Sequence, residues 1–142
     1  MGLDNGLMIQ GKTAADRRML KDNFNHLKDE YSDGTVEYEF AYWRKCWNMR
    51  NRMEEFGLLE NADYKTLTIE NLVTVVEDVL KYFLNEDNWV HGNSFSNGST
   101  WDWTTMIATI AQEIHDIREF IECVEDNELT DEDFKIYFYD SY

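Results

Sequence analysis

The stretch Thr35–Arg50, TVEYEFAYWRKCWNMR, decides the fold because its hydrophobic period changes in the middle. In its first half, apolar residues alternate with two glutamates, which predicts a half-buried strand over residues 36–40. From Tyr42 the apolar spacing becomes four and three, which predicts a helix that ends at Gly57. The predicted core face of this helix consists of Tyr42, Cys46, Met49, Met53 and Phe56.

Three further segments have helical periods. Thr13 and Thr68 are suited to capping helices over residues 13–31 and 68–85. The clearest helix covers about residues 100–126, because one apolar stripe repeats every three or four residues along it. We expect this stripe to form the core of the domain, although the pattern alone also fits a dimer seam.

Both ends of the chain are predicted to be extended. Residues 1–12 indicate a short strand or an extended arm, and residues 134–142, FKIYFYDSY, alternate like a strand. The terminal strand is expected to pair antiparallel with residues 36–40, with the N-terminal segment, or with both. These elements predict one α+β domain over residues 1–142, with about four helices and a small antiparallel sheet formed by the chain ends and the segment before Tyr42.

The chain is strongly acidic, and its charge is unevenly distributed, with a formal net charge of −16 over 142 residues. Residues 1–52 contain nine Lys or Arg and eight Asp or Glu, whereas residues 53–142 contain four and twenty-one. Direct nucleic-acid binding is not expected, since phosphates would be repelled. A local basic pocket for a small anion and an acidic face for a basic partner both remain open.

A helix beginning at Tyr42 would place aromatic and basic side chains together on one flank, beside the core face. Arginine offers a planar donor fork for phosphate or carboxylate, and tryptophan offers a face on which a nucleobase can stack. This flank would suit a small anionic, nucleotide-like ligand, but it also fits a core edge whose arginines pair with acidic neighbours. The predicted ligand-binding residues are Trp43, Arg44, Lys45, Trp47, Asn48, Arg50 and Asn51, helped by Trp89 and Tyr139.

The loop over residues 85–98 is polar but contains Trp89. Trp101 and Trp103 follow at the start of the long helix, whose N-terminus presents free N–H groups to anions. Two interpretations are open. The loop joins the Trp/Arg flank as the second half of a ligand site, or it is a structured loop in which Ser99 only caps the helix.

The acidic second half of the chain is a separate candidate, because rows of carboxylates can imitate a phosphate backbone and occupy a basic nucleic-acid groove. The densest run, DNELTDED from Asp126 to Asp133, lacks the glycine and the spacing of an EF-hand loop. We expect this run to be a solvated linker. Solubility alone is the alternative explanation of the acidity.

No catalytic, metal or cofactor site is expected, and the protein is not expected to be an enzyme. The histidines His26, His91 and His115 have no partners at metal-ligand spacing, and the pair His115 and Glu119 is typical of a solvated helix face. The two cysteines show neither C-x-x-C spacing nor a nucleophile motif. The sequence therefore favours a non-catalytic binding protein, and an enzyme that degrades a nucleotide signal ranks last among the hypotheses.

Three blocks resemble a family of small tailed-phage and prophage proteins of uncharacterised function. They are MGLDNGL at the start, AYWRK at the predicted strand–helix junction and YFYDSY at the end. The stretch Tyr42–Lys45 matches the Tyr-Trp-Arg-Lys of that family, and Gly98-Ser99 matches an element before its last helix. Trp47, Arg50 and Arg52 occupy positions where the family has Asn, His and Trp.

The resemblance implies a phage protein in the cytoplasm of a bacterial host, where small phage accessory proteins often counter host defence. No apolar run reaches the ~20 residues of a membrane helix, and no signal-peptide pattern is expected. The leading hypothesis is sequestration of a small anionic, nucleotide-like ligand by the Trp/Arg pocket. The alternative is an acidic inhibitor, of the anti-CRISPR or anti-restriction type, that docks on a basic host defence protein. The oligomeric state is left open.

Overall fold

The computed structural model describes residues 4–44, 47–59, 66–88 and 103–141. The strands are β1 (Asp4–Gly11), β2 (Leu27–Glu30), β3 (Val36–Arg44), β4 (Thr66–Leu67) and β5 (Phe134–Ser141). The helices are α1 (Ala14–Asn23), α2 (Trp47–Glu55), α3 (Ile69–Thr74) and α4 (Trp103–Asp126). α3 continues through a π-helical turn (Val75–Leu80) into a 3₁₀ turn (Lys81–Leu84), and shorter 3₁₀ turns cover Glu86–Asn88 and Asp131–Asp133.

The strands form one antiparallel sheet in the order β2-β3-β1-β5-β4. This confirms the predicted α+β class and a sheet that contains both chain ends and the segment before Tyr42. The terminal strand was predicted to pair with residues 36–40, with the N-terminal segment, or with both. β5 pairs with β1 and β4 rather than with β3, so the pairing with the N-terminal segment is the one that forms. β1 is therefore the central strand and not a loose arm.

β3 continues through the stretch that was predicted to begin a helix. Tyr42, Trp43 and Arg44 pair with Gly6, Asn5 and Asp4 of β1, and α2 begins only at Trp47. The predicted helix start is wrong because pairing with a central strand satisfies these backbone groups, and tertiary pairing overrides a local period.

The side chains at this junction follow the period of a strand. Tyr42 is 36% exposed and Trp43 is 0% exposed, so the predicted core placement of Tyr42 is wrong. Met49 and Met53 are buried as predicted, whereas Phe56 is exposed. Cys46 lies outside the described residues.

α1 is shorter than the predicted helix over residues 13–31. It ends at Asn23, whose side-chain amide donates to the carbonyl of Met19, and Phe24 has extended backbone. Residues 27–30 instead pair with β3 as β2, which leaves Leu27 and Tyr31 on the surface. Thr13 does cap the helix by accepting a hydrogen bond from the N–H of Asp16.

The core lies between the sheet and the helices. Phe120 of α4 makes edge-on ring contacts with Phe40 of β3 and Phe134 of β5. The predicted α4 stripe is buried at Ile110, Ile114, Ile117 and Val124. No described helix combines the length and the apolarity that crossing a membrane requires.

Candidate functional site

Trp43 belongs to the core and presents no face to a ligand. Its indole N–H donates to Glu113 Oε1 at 2.9 Å, and the backbone N–H of Tyr42 donates to Glu113 Oε2 at 3.1 Å. Trp43 was expected to stack on a ligand because a helix would have placed it on an exposed flank. Residue 43 belongs to strand β3 instead, and there its side chain points into the core. Trp43 therefore ties β3 to α4.

Glu113 was not identified from the sequence. Its side chain is 6% exposed, and burial raises its pKa well above the ordinary value, against the two donated hydrogen bonds. The available signal was its position three residues after Ile110 on the core side of α4. Since both carboxyl oxygens are engaged by β3, this group is an anchor of the fold.

Arg50 is engaged within the chain. Its Nε lies 2.7 Å from Asp140 Oδ2, and its Nη1 lies 3.0 Å from Glu54 Oε2. The Asp140 side chain is only 3% exposed, so this pair joins α2 to β5 in a largely water-excluded position. The cation predicted for an anionic ligand thus pairs with the acidic half of its own chain, as the alternative interpretation expected.

Tyr139 lies on the opposite face of the sheet from Arg50. Successive strand residues point to opposite faces, and Asp140, the next residue, is the one that meets Arg50. The Tyr139 hydroxyl donates to Glu39 Oε2 at 3.4 Å, and burial, helped by the charge of Glu39, raises the pKa of Tyr139. The structure therefore does not bring Tyr139 and Arg50 into one site.

Asn48 and Asn51 lie in a cavity of about 130 Å³ between α2 and the turns that follow α3. The Arg52 guanidinium stacks on the Tyr82 ring with its carbon 3.7 Å from the ring centroid, and its Nε donates to the carbonyl of Asp78. The cavity is lined by Asn48, Asn51, Arg52, Glu55, Tyr82, Phe83 and Asn88. Asn88 is the residue directly before Trp89, so the start of the polar loop does meet α2.

For four of the predicted site residues, the side chain lies outside the part of the chain that the structure describes. Lys45 and Trp89 are outside the described residues, as are residues 89–102 with the proposed Ser99 cap. Arg44 ends β3 and Trp47 begins α2, and their side chains are outside the described part of the chain.

The strongest surface feature is what we call the acidic end, residues 122–133. It contains seven carboxylates in twelve residues and no Lys, Arg or His. Among the described residues, none of the seven forms an ion pair. The carboxylates are those of Glu122, Glu125, Asp126, Glu128, Asp131, Glu132 and Asp133.

The run Asp126–Asp133, predicted to be a solvated linker, is exposed at most of its positions and joins α4 to β5, and its backbone is hydrogen-bonded. Leu129 N–H donates to the carbonyl of Val124, and Glu128 N–H donates to that of Glu125, which together form a Schellman motif. Beyond it, Thr130 caps a 3₁₀ turn. Asp131 also accepts a hydrogen bond at 2.6 Å from the backbone N–H of Ile69 at the start of α3.

This end of α4 contradicts two rules of helix stability. Carboxylates in a last turn face the negative end of the helix dipole, and the last turn of α4 contains no basic residue. Glu128 has a φ of 56° in the position where helices favour glycine. Local rules are most often broken where function requires it, so this end is the candidate interface.

Comparisons with protein-family models, curated proteins and solved structures gave no match to this chain.

Proposed function

We propose that this protein is a non-catalytic binding protein that docks its acidic end on a basic surface of another protein. The observation that carries the proposal is the row of carboxylates on the last turns of α4, which face the negative end of the helix dipole and form no ion pair with the residues that the structure describes. Acidity needed only for solubility could occupy any exposed position. Here it is concentrated where it destabilises the helix.

The geometry suits a partner that otherwise binds nucleic acid. Glu122 and Asp126 lie one turn apart on the same face of α4, which places them about 6 Å apart along the axis. Phosphates along one DNA strand repeat about every 3.4 Å of axis, so two carboxylates at this spacing correspond to roughly every second phosphate. Complementary charge would speed encounter and select basic partners.

A small anionic ligand in the predicted Trp/Arg pocket has weaker support. Its described cation, Arg50, would have to leave Asp140, and removing one partner of a buried ion pair leaves an uncompensated charge. Any anionic ligand would also approach a chain whose formal net charge is −16. For these reasons acidic docking ranks first.

The resemblance to phage proteins supports a setting for this activity. We propose a phage accessory protein acting in the bacterial host cytoplasm, whose partner is a basic defence protein of the host. Defence proteins that cut or recognise nucleic acid have basic grooves, which fits the charge of the acidic end.

The experiment compares two variants that each remove four negative charges. The first carries Glu122→Gln, Glu125→Gln, Asp126→Asn and Glu128→Gln. The matched control removes exposed carboxylates elsewhere on the described surface, with Asp22→Asn, Asp29→Asn, Asp78→Asn and Asp87→Asn. The probe is a synthetic arginine-rich nucleic-acid-binding peptide, and its affinity is followed by fluorescence anisotropy.

We expect the acidic-end variant to bind the probe about fivefold or more weakly, and the control to stay within about twofold of the unmodified protein. If both variants lose the same affinity, only bulk charge attracts the probe. That result would contradict the proposal.

A second candidate function rests on the cavity beside α2. Three carboxamides, Asn48, Asn51 and Asn88, line it beside the stacked pair of Arg52 and Tyr82, and the Asn88 amide already donates to the carbonyl of Tyr82 at 2.6 Å. We propose that this polar wall could hold the edge of a nucleobase. At about 130 Å³ the cavity is below the roughly 300 Å³ at which drug-sized sites begin, so it would take one ring and not a whole nucleotide.

Titration of the protein with the four common nucleoside monophosphates, followed by backbone amide NMR, tests this candidate. Shifts confined to the cavity residues, and absent in Asn51→Ala, would support it. Unchanged spectra at millimolar nucleotide would eliminate it.

A further inference from the structure

An open groove of about 600 Å³ runs between the α1–β2 connection and one face of α4. One wall contains His26 and Asp22, and the other contains His115, Asp116 and Glu119. The groove lies apart from the cavity beside α2, with which it shares no lining residue. It brings together two of the three histidines of the chain, which lie far apart in sequence.

The donor atoms in the groove have the spacing of a metal site. His115 Nε2 lies 3.6 Å from Glu119 Oε2, and one donor atom each from His115, Asp116 and Glu119 fit within 4.8 Å of one another. Across the groove, His26 Nε2 lies 4.0 Å from Asp116 Oδ2. Ligands bound tetrahedrally to zinc at 2.0–2.1 Å are about 3.4 Å apart, so the donor pairs at 3.6 Å and 4.0 Å lie near that spacing, with His26 outside the group of three that fits within 4.8 Å.

His26 supplies an independent sign of a missing partner. Both of its ring nitrogens are buried and accept or donate no hydrogen bond among the described residues. Burying polar atoms without partners is unfavourable, and such groups in folded proteins are usually satisfied. Edge-on contacts with Phe40 and Tyr38 hold the ring in place.

A neighbour on α4 orients the Asp116 carboxylate that faces His26. Behind Asp116, the side-chain amide of Gln112 donates to Oδ1 at 3.0 Å. Oriented second-layer groups of this kind are typical of metal ligands.

We propose that His26, His115, Asp116 and Glu119 bind one divalent transition-metal ion of the zinc class. Two imidazoles with two carboxylates favour zinc, cobalt or nickel over magnesium and calcium, which prefer oxygen ligands alone. The ion would clamp the α1–β2 connection onto α4. This site is independent of the acidic end, because none of the four ligands belongs to residues 122–133.

Zinc titration by calorimetry tests the site. The protein is first dialysed against a chelator and carries Cys46→Ser and Cys123→Ser, so that thiols cannot bind the ion. The variants are His115→Gln and Glu119→Gln, whose exposed side chains can be changed without opening the core. The matched control is Asp22→Asn, which removes a carboxylate from the same groove.

We expect one zinc per chain, with affinity reduced at least about tenfold by either ligand variant and unchanged within about twofold by Asp22→Asn. The proposal would be overturned if the protein that keeps all four ligands bound no zinc. It would also be overturned if Asp22→Asn lowered the zinc affinity as much as the ligand variants do.

The contribution of His26 is measured without replacing it, because its ring packs in the core and a substitution there can disturb folding. Long-range ¹H–¹⁵N spectra of the imidazoles should show ring-nitrogen shifts of both His26 and His115 at one equivalent of zinc. A shift of His115 alone would overturn the assignment of His26 as a ligand.

Discussion

The indole N–H of Trp43 donates to the carboxyl group of Glu113 across 2.9 Å, and both side chains are buried. This contact joins the end of β3 to the middle of α4. Trp43, which was predicted to bind a ligand, is therefore a structural residue of the core. The acidic end begins on the last turns of the same helix α4, and it is the surface that we propose for docking.

Glu113 predicts a pH-dependent stability. Because burial raises its pKa, the folded state holds this proton more tightly than the unfolded state, where the ordinary value is 4.5. Its contribution is fully present below that value and is lost as pH rises towards the raised pKa of the folded state. We expect the free energy of unfolding of the native protein to fall across this window relative to Glu113→Gln, which cannot titrate. Urea denaturation of both proteins at a series of pH values measures the difference. Parallel pH profiles would contradict the account.

Gly6 predicts a packing requirement at the centre of the sheet. A Cβ at this position would clash with the carbonyl oxygen of Ala41 and lie 2.9 Å from the Tyr139 ring. Gly6→Ala should therefore destabilise the protein by about 2–3 kcal/mol. Gly57→Ala is the matched control, because Gly57 has a φ of +72° but nothing within 4 Å, and its expected cost is about 1 kcal/mol. Equal losses in urea denaturation would show that β1 is not packed as described.

The pair Arg50 and Asp140 predicts strong coupling. Arg50→Met should cost about 3 kcal/mol, because it leaves the buried carboxylate of Asp140 without its cation. The double variant with Asp140→Leu should recover most of that loss, and a double-mutant cycle in urea measures the coupling energy. Additive effects would mean that Arg50 is not held by Asp140.

Glu128 predicts that the acidic end reduces stability. Replacing it by glycine relieves the left-handed backbone and removes a carboxylate from the negative end of α4. Glu128→Gly should raise the free energy of unfolding by about 0.5–1 kcal/mol, or the thermal midpoint by about 2–5 °C. Glu125→Gln, which changes charge but no special φ, should give a smaller rise in the same calorimetric scan. A loss of stability in Glu128→Gly would contradict the backbone argument.

Regular patterns predicted the scaffold well. The α4 stripe from Ile110 to Val124 and the alternation of β5 depend on residues whose period and burial agree, so local sequence and tertiary packing point the same way. The caps at Thr13 and Thr68 are also confirmed, since a capping hydrogen bond needs only neighbours in sequence.

The candidate site was less predictable, because long-range contacts decide it. The sequence pattern places Trp43 on a helix, but its pairing with Asn5 makes it part of a strand. His26 and Asp116 meet across the groove through tertiary packing, which residue spacing in the sequence does not predict. The partners of Arg50 likewise come from the opposite end of the chain. Periodicity identifies which residues are buried but not which distant residue meets them.

The most direct measurement of the central claim is backbone amide NMR of the native protein during titration with the arginine-rich probe. We predict that chemical-shift changes concentrate in residues 122–133 and at Ile69, whose N–H is bonded to Asp131. They should weaken as salt is raised. Shifts spread evenly over Asp22, Asp29, Asp78 and Asp87 as well would contradict the claim that the acidic end is the docking surface.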